Sequence, residues 1–166
     1  MNTVHLDKKN HNRKDFNCGV DALNNYLRVM ASQQTLKDNT RTYVLEDVRN
    51  TRQIIGYYTL TMASLDLALL PKQLQKKHTN VHSAGLIARL AVDKRYFKQG
   101  YGEWLLIDSL RKLLQASETV AFPLVVVDSK EGAIEFYKKF GFECFLDTPS
   151  KLYMTITDIR KSLSKL

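Results

Sequence analysis

The second half of this chain alternates strand-like and helix-like patterns, and that alternation limits its fold more than any other feature. Ala84–Asp93 (AGLIARLAVD) reads as a strand. An apolar helix follows to about Leu114, its buried face drawn from Tyr101, Trp104, Leu105, Leu110, Leu113 and Leu114. Pro123–Asp128 (PLVVVD) is a short continuous apolar run, which suits a strand covered on both faces. The next helix is expected over Glu131–Phe140, with Ala133, Phe136, Tyr137 and Phe140 at helical spacing, and Gly141 stops it as a C-terminal cap. Phe142–Leu146 and Leu152–Ile156 close as two strands, and Asp158–Leu166 is a short basic helix.

The first half reads as a strand, a helix and a meander. Thr3–Lys8 is a short strand. Val20–Gln34 is a helix begun by Asn17 or Gly19, with Val20, Leu23, Leu27 and Met30 facing inward. Arg41–Asp47 and Gln53–Ala63 form an antiparallel hairpin about the turn 48–52, and Pro71–His78 is a short helix. The sum is a mixed, mostly antiparallel α/β sheet flanked by helices. At 166 residues with no repeat or linker, it is expected to be a single domain over 1–166.

Several classes fall away on composition. No apolar run reaches the roughly 18–20 residues that span a bilayer, so no membrane association is expected. Met1–Asp15 is polar and lacks the apolar core of a signal peptide, so the expected compartment is the cytoplasm. There Cys18 and Cys144 stay thiols, each read as a small buried hydrophobe. His78 and His82 are four apart, but no Cys, Asp or Glu lies nearby to complete a site, so no metal is expected. The net charge of +8 favours an acidic partner. The basic residues recur as separate pairs, Lys8-Lys9, Arg13-Lys14, Lys76-Lys77, Lys94-Arg95, Lys138-Lys139 and Arg160-Lys161, so only folding can assemble a patch. Lys94, Arg95, Lys138 and Lys139 are the expected contributors to an RNA-binding surface.

The most informative stretch runs from Leu90 to Gly102. A strand ends, a basic loop Lys98-Gln99-Gly100-Tyr101-Gly102 follows, and a helix begins. A helix N-terminus offers unpaired N–H groups and positive partial charge. Glycines let the backbone approach an anion closely. The arrangement suits a pyrophosphate. No G-K-[ST] follows, so it is not a Walker loop, and it does not read G-x-G-x-x-G.

Ala88-Arg89-Leu90-Ala91-Val92-Asp93 followed by this loop resembles the signature of GNAT acetyltransferases. Ala133 to Phe142 is similar to the A-x-x-F-Y-x-x-F-G-F helix of the same family. Phe16-Asn17-Cys18-Gly19, Leu23-Asn24-Asn25-Tyr26-Leu27 and Arg41-Thr42-Tyr43-Val44 resemble the N-terminal half of GNAT toxins from bacterial toxin–antitoxin pairs. The resemblance implies the GNAT fold and acetyl-CoA held by Leu90, Ala91, Val92, Lys98, Gln99, Gly100, Tyr101, Gly102, Asp128, Ala133 and Phe136. It implies Tyr137 as the general acid, and acetylation of the free α-amine of aminoacyl-tRNA, which blocks translation. It also implies a small ribbon-helix-helix antitoxin as partner and leaves a homodimer open. Where the family usually has Gln or Arg, three residues before the first glycine, this chain has Phe97.

The chemistry fits the residue set. An α-amine titrates near 7.7–8.0, against about 10.4 for lysine, so an α-amine acceptor tolerates a site without a strong catalytic carboxylate. Glu46, Asp93 and Glu103 are base candidates by position, with solvated or capping roles as the simpler reading. Tyr137 lies on the apolar face with Ala133, so its ring also reads as core; its phenol can donate to a leaving thiolate. A backbone N–H of Leu90–Val92 would meet the oxyanion. Asp128 and Ser129 end a strand and either contact the pantetheine or cap the next helix. Two other readings stand beside the toxin. One is a GNAT enzyme acting on a small amine or a protein N-terminus. The other is a catalytically inactive GNAT-like module that binds nucleic acid, which Phe97 encourages and Tyr137 opposes.

Overall fold

The apolar runs fold into seven strands in the computed structural model, which describes residues 1–129 and 132–166. In chain order the elements are β1 (Thr3–His5), α1 (Asp21–Asn25), α2 (Ala31–Leu36), β2 (Arg41–Asp47), β3 (Asn50–Ser64), α3 (Lys72–Lys77), β4 (Ser83–Val92), α4 (Tyr101–Thr119), β5 (Leu124–Asp128), α5 (Ile134–Lys139), β6 (Glu143–Phe145), β7 (Thr148–Thr155) and α6 (Ile156–Leu163). The sheet is mixed, in the order β1-β2-β3-β4-β5-β7-β6. The chain divides into two compact units, Met1–Thr61 with Ala88–Ser109, and Met62–Ile87 with Leu110–Leu166. Lys130 and Glu131 lie outside the described residues, so the expected helix start at Glu131 does too. The described part of that helix begins at Ile134, with Ala133 at its N-cap.

In the first unit β1, β2 and β3 pair antiparallel, and Val48-Arg49 make the tight turn between Asp47 and Asn50. That turn is shorter than the expected 48–52, because β3 starts at Asn50. The register slips around Glu46, which marks a bulge. The helical segment 21–36 differs from a plain amphipathic helix. Between α1 and α2 the chain is π-helical over Tyr26–Met30, and the Ala31 N–H reaches back to the Tyr26 carbonyl. The buried residues are Asn24, Tyr26, Leu27 and Ala31, while Val20 and Met30 are exposed. The expected inward face therefore holds at Leu27 and partly at Leu23, and fails at Val20, which sits outside the helix as its N-cap, and at Met30, which lies in the wider π turn. Val20, not Asn17 or Gly19, occupies the N-cap. Tyr26, Leu27 and Ala31 pack with Phe16, Cys18, Val44, Ile54, Tyr57 and Ala91. Cys18 is buried as expected, whereas Cys144 is only half-buried.

In the second unit Gly85–Ile87 of β4 pairs parallel with Val125–Val127 of β5, and β7 pairs antiparallel with both β5 and β6. Leu124 through Val127 are all buried, as a continuous apolar run requires. Leu65, Leu70, Ala84, Leu124, Val126, Phe145 and Tyr153 form the core on one side. Gly141 ends α5 in the left-handed conformation at φ +99°. The Phe142 amide returns to the Tyr137 carbonyl at 3.2 Å and the Gly141 amide to Lys138 at 3.0 Å, which is a Schellman cap. His78 caps the end of α3, so it shares no helix with His82. On α4 the buried positions are Leu105, Leu106, Ser109, Leu110 and Leu113; Trp104 and Leu114 are only partly buried. No described helix is long and apolar enough to cross a membrane.

Gly56 shows how tightly β3 is met by its surroundings. A Cβ there would lie 2.6 Å from Leu105 Cδ1 and 2.7 Å from the Ala91 carbonyl oxygen. A leucine methyl can turn aside; a strand carbonyl cannot without moving β4. Gly56→Ala is expected to cost about 1–3 kcal/mol, read as a lower urea midpoint at unchanged m-value. A wild-type midpoint would refute the close approach.

Candidate active site

β4 ends at Val92, and the chain turns on Asp93, which is 1% exposed. Asp93 Oδ1 accepts from the Arg95 backbone N–H and from Arg95 Nε, both at 2.9 Å. Oδ2 accepts from Arg95 Nη2 at 2.9 Å and from the Asn17 N–H at 3.0 Å. The side chain thereby caps the 3-10 turn Lys94–Tyr96. Burial pushes the Asp93 carboxyl up, but the hydrogen bonds from Arg95 and Asn17 and the Arg95 charge outweigh it and hold the group below the usual carboxylate range. Asn17 in turn accepts the Lys94 N–H on its carbonyl at 2.8 Å, and its side-chain oxygen accepts from Asn24 Nδ2 at 3.1 Å. The Asn24 side-chain oxygen closes the network on the Cys18 amide at 2.9 Å. The resemblance at Phe16-Asn17-Cys18-Gly19 and at Asn24 thus has a physical content: these residues hold the turn that leads into the glycine loop. On the other side, buried Tyr96 donates to Asp47 Oδ2 at 2.7 Å and accepts from Gln53 Nε2 at 2.7 Å.

Beyond this anchored turn the loop opens to solvent. Phe97 is extended and 49% exposed. Lys98 (φ +60°) and Gly100 (φ +82°) are both left-handed, on either side of Gln99. A left-handed lysine costs about 1–2 kcal/mol, and strain of that kind gathers at ligand clamps. A Cβ built on Gly100 would meet nothing within 4 Å. Glycine is therefore required there by its backbone angle, not by protein packing, which leaves an open cradle. The Gly100 carbonyl accepts the Trp104 N–H at 3.1 Å, so Tyr101 and Gly102 stand in the first turn of α4, where N–H groups lack helical partners. Lys98 and Gln99 are exposed beside them. Leu90, Ala91 and Val92 approach the same turn along β4. Lys94 is exposed, but the two bonds from Arg95 to Asp93 pin that guanidinium to the scaffold.

The second unit carries the remaining residues. Asp128 is exposed at the end of β5, and Ser129 follows with its N–H on the Ser150 carbonyl at 2.7 Å. The N-cap of α5 is Ala133, not Ser129. Phe136 is half-buried, its ring 5.2 Å from that of Tyr137 and 5.3 Å from that of Phe140. Lys138 and Lys139 are exposed on the last turn of α5; Lys138 is 4.0 Å from Glu135. The Tyr137 ring is buried and also packs on Phe142, at 5.6 Å.

The Tyr137 hydroxyl differs from every other buried phenol among the described residues. Tyr26 meets Thr40, Tyr57 the Leu23 carbonyl, Tyr58 Asp108, Tyr96 Asp47, and Tyr153 Glu143, at 2.6–3.0 Å. Tyr137 has no hydrogen-bond partner among the described residues. Yet no described side-chain oxygen is both sealed and unbonded, so its hydroxyl reaches the protein surface. Burial pushes this phenol up to about 12, so it stays protonated near neutral pH and keeps a proton to donate. Periodicity alone placed the ring on the apolar face; it gave no sign of the unclaimed hydroxyl.

The match that decides the family spans residues 38–144, to the acetyltransferase (GNAT) domain. The chain belongs to the GNAT acetyltransferase family. This GNAT chain is similar to the tRNA-acetylating toxin of Mycobacterium tuberculosis, 28% identical over 87% of this chain and 86% of that protein. It is also similar to AtaT complexed with acetyl-methionyl-tRNAfMet, with TM-score 0.87 and 26% identity over 98% of each chain. AtaTR bound with AcCoA matches with TM-score 0.83 and 25% identity, over 98% of this chain and 97% of that one. No three described His, Cys, Asp or Glu side chains cluster as a metal site in this GNAT chain. Glu46 is engaged by His11 at 2.8 Å and Asp93 is consumed as a cap, so neither stands as a base.

The depressed Asp93 carboxyl gives the loop a signed pH dependence. Stability from its ionised form is present above the unfolded value of about 3.9 and is lost as pH falls below that toward the lower folded value. Asp93→Asn is expected to cost about 1–3 kcal/mol at neutral pH and to flatten the decline of Tm below pH 4. Parallel pH–Tm curves for the two proteins would show that the Asp93 network does not anchor the turn.

Proposed function

We propose that this chain moves the acetyl group of acetyl-CoA to the free α-amine of aminoacyl-tRNA and so blocks translation, as the toxin of a toxin–antitoxin pair. The observation that carries the reading is the likeness over 98% of both chains to AtaT in complex with acetyl-methionyl-tRNAfMet. The likeness to the tRNA-acetylating toxin and to AtaTR with AcCoA supports it. We place the activity in the cytoplasm, in a single domain, with a ribbon-helix-helix antitoxin and a homodimer as the assembly.

The residues present fit acetyl-CoA. The open cradle at Gly100, the left-handed Lys98 and the first turn of α4 supply backbone donors for a pyrophosphate. Lys98 and Gln99 add side-chain donors, and Phe97 leaves the backbone donors unaffected. Leu90, Ala91, Val92, Tyr101, Gly102, Asp128, Ala133 and Phe136 complete the proposed lining. Bound there, acetyl-CoA supplies the acetyl group as a thioester. A backbone N–H of Leu90–Val92 stabilises the oxyanion. Attack by the neutral amine forms the C–N bond and breaks the C–S bond. Tyr137 gives its hydroxyl proton to the departing sulfur, the amine proton leaves to solvent, and the Tyr137 phenolate takes a proton back from solvent. An acceptor amine near 7.7–8.0 is partly neutral at pH 7, so the lack of a poised carboxylate is no obstacle.

Tyr137→Phe tests the acid. The variant should keep its Tm, because the lost hydroxyl has no hydrogen-bond partner among the described residues, and should still bind acetyl-CoA. Its kcat on purified charged tRNA should fall on the order of 10²-fold or more. In the wild type, activity should rise as the acceptor amine deprotonates and show no Tyr137-linked loss until pH nears about 12. Unchanged kcat in the variant removes Tyr137 as the acid.

Gly100→Asp and Gly100→Ala separate charge from bulk at the cradle. Alanine meets no protein atom, so it should cost only the left-handed strain of about 1–2 kcal/mol. Aspartate adds a repelling charge and should weaken acetyl-CoA binding well beyond that in calorimetry. Equal, wild-type-like affinity in both would move the pyrophosphate site elsewhere.

A further inference from the structure

The first unit holds a cavity of about 520 Å³ that the acetyl-transfer residues do not touch. Six cationic side chains line it: Lys8, Lys9, Arg13, Lys14, Arg28 and Arg52. No carboxylate and no apolar side chain joins them; the other lining residues are His11, Asn12, Asn50 and Gln53.

The fold keeps the local acids out of this pocket. Asp7 accepts the Lys9 N–H at 2.9 Å and Asn10 Nδ2 at 2.6 Å. Asp15 accepts Asn12 Nδ2 at 2.6 Å. His11 accepts the Asp7 N–H on Nδ1 at 2.8 Å, so Nε2 carries the proton that meets Glu46 at 2.8 Å. The walls are rigid where two arginines interlock. Arg13 Nη1 donates to the Arg28 carbonyl at 2.6 Å, while Arg28 donates from Nε to the Arg13 carbonyl at 3.4 Å and from Nη2 to that of Phe16. The Asn12 N–H on the Arg52 carbonyl at 2.7 Å fixes the segment to β3. Lys8, Lys9, Lys14 and Arg52 have no ion-pair partner among the described residues and are exposed.

We infer that this pocket binds the phosphodiester backbone of a double-helical arm of the tRNA, away from the reacting amine. The inference rests on the function proposed above and names where the body of that substrate is held. The lining chooses among polyanions. Unpaired bases need aromatic platforms to stack on, and the only ring here belongs to buried His11. An acidic peptide docks through apolar anchors as well as charge, and this pocket has none. Clustered lysine and arginine with neutral amide donors suit phosphate and sugar, contacts that position RNA without reading its sequence.

The test is the triple variant Lys8→Ala, Lys14→Ala, Arg52→Ala, which spares the interlocked Arg13 and Arg28. Its Tm and acetyl-CoA affinity should match wild type, and so should kcat/KM on an aminoacylated trinucleotide that lacks the tRNA body. Its Kd for full-length tRNA should rise on the order of 10-fold, and the slope of log K against log salt should shrink by about 2–3, one step for each phosphate no longer neutralised. A variant with unchanged tRNA affinity and slope overturns the pocket alone, provided the wild type acetylates charged tRNA. A variant that keeps tRNA but loses an acidic antitoxin peptide overturns it in favour of a protein site. A wild type that acetylates no charged tRNA removes the functional reading, and this inference with it.

Discussion

The buried carboxylate of Asp93 is the contact on which the N-terminal unit's machinery depends. It sits at the end of β4, where a strand must become a loop and then a helix. Its four accepted hydrogen bonds come from only two residues, Arg95 and Asn17. A buried carboxylate left unpaired is costly, and one this well bonded is locked in place. The lock has two effects. It fixes the direction in which the chain leaves β4, and it ties the Phe16–Gly19 segment to that exit. Beyond Tyr96 the loop is exposed and left-handed at Lys98 and Gly100. A rigid base thus lies under a strained, open loop, an arrangement that suits the pyrophosphate site proposed there.

The parts legible in the sequence were those decided by local chemistry. Arg41–Asp47 matched β2 at both ends, because β-branched and aromatic residues there are bounded by polar turns. The Pro123–Asp128 run became a fully covered strand, and Gly141 took the left-handed cap its type implies. What the sequence hid was long-range or phase-dependent. Periodicity counted at 3.6 residues missed the π turn at Tyr26–Met30, and with it the exposure of Met30. The pairing of Asp93, a base candidate by position, with Arg95 could not be read from the sequence. Gly100 was read as letting the backbone approach an anion; its surroundings are open, and its left-handed angle at φ +82° could not be read from the sequence.

The catalytic assignment shows the same divide. Ala133, Phe136, Tyr137 and Phe140 share one face of a helix, and that spacing is as much a core signal as an active-site one. Six buried tyrosines cannot be ranked by sequence. They separate only when each hydroxyl is traced to its partner, and then one phenol stands unclaimed. A buried ring with an unclaimed hydroxyl is a poor use of polarity for stability alone, since a phenylalanine would pack as well. Its elevated ionisation range, set by burial, keeps the phenol protonated near neutral pH, which suits the acid role proposed for it.

The charge of this chain follows a similar logic. A net +8 reads from composition as a uniform property. In the fold the two signs are treated differently. Asp7, Asp15, Glu46, Asp47 and Asp93 spend their oxygens on nearby amides, imidazole, phenol or guanidinium. The lysines of the N-terminal segment are exposed and have no ion-pair partner among the described residues. Asp47 and Asp93 are buried, whereas Asp7 and Asp15 stay exposed, held on neighbouring amides and absent from the pocket lining. The positive charge at the N-terminal pocket arises from groups that lie apart in sequence: Lys8-Lys9 and Arg13-Lys14 from one loop, Arg28 from the π turn, Arg52 from β3. A polyanion steered there would meet a surface already assembled by the fold.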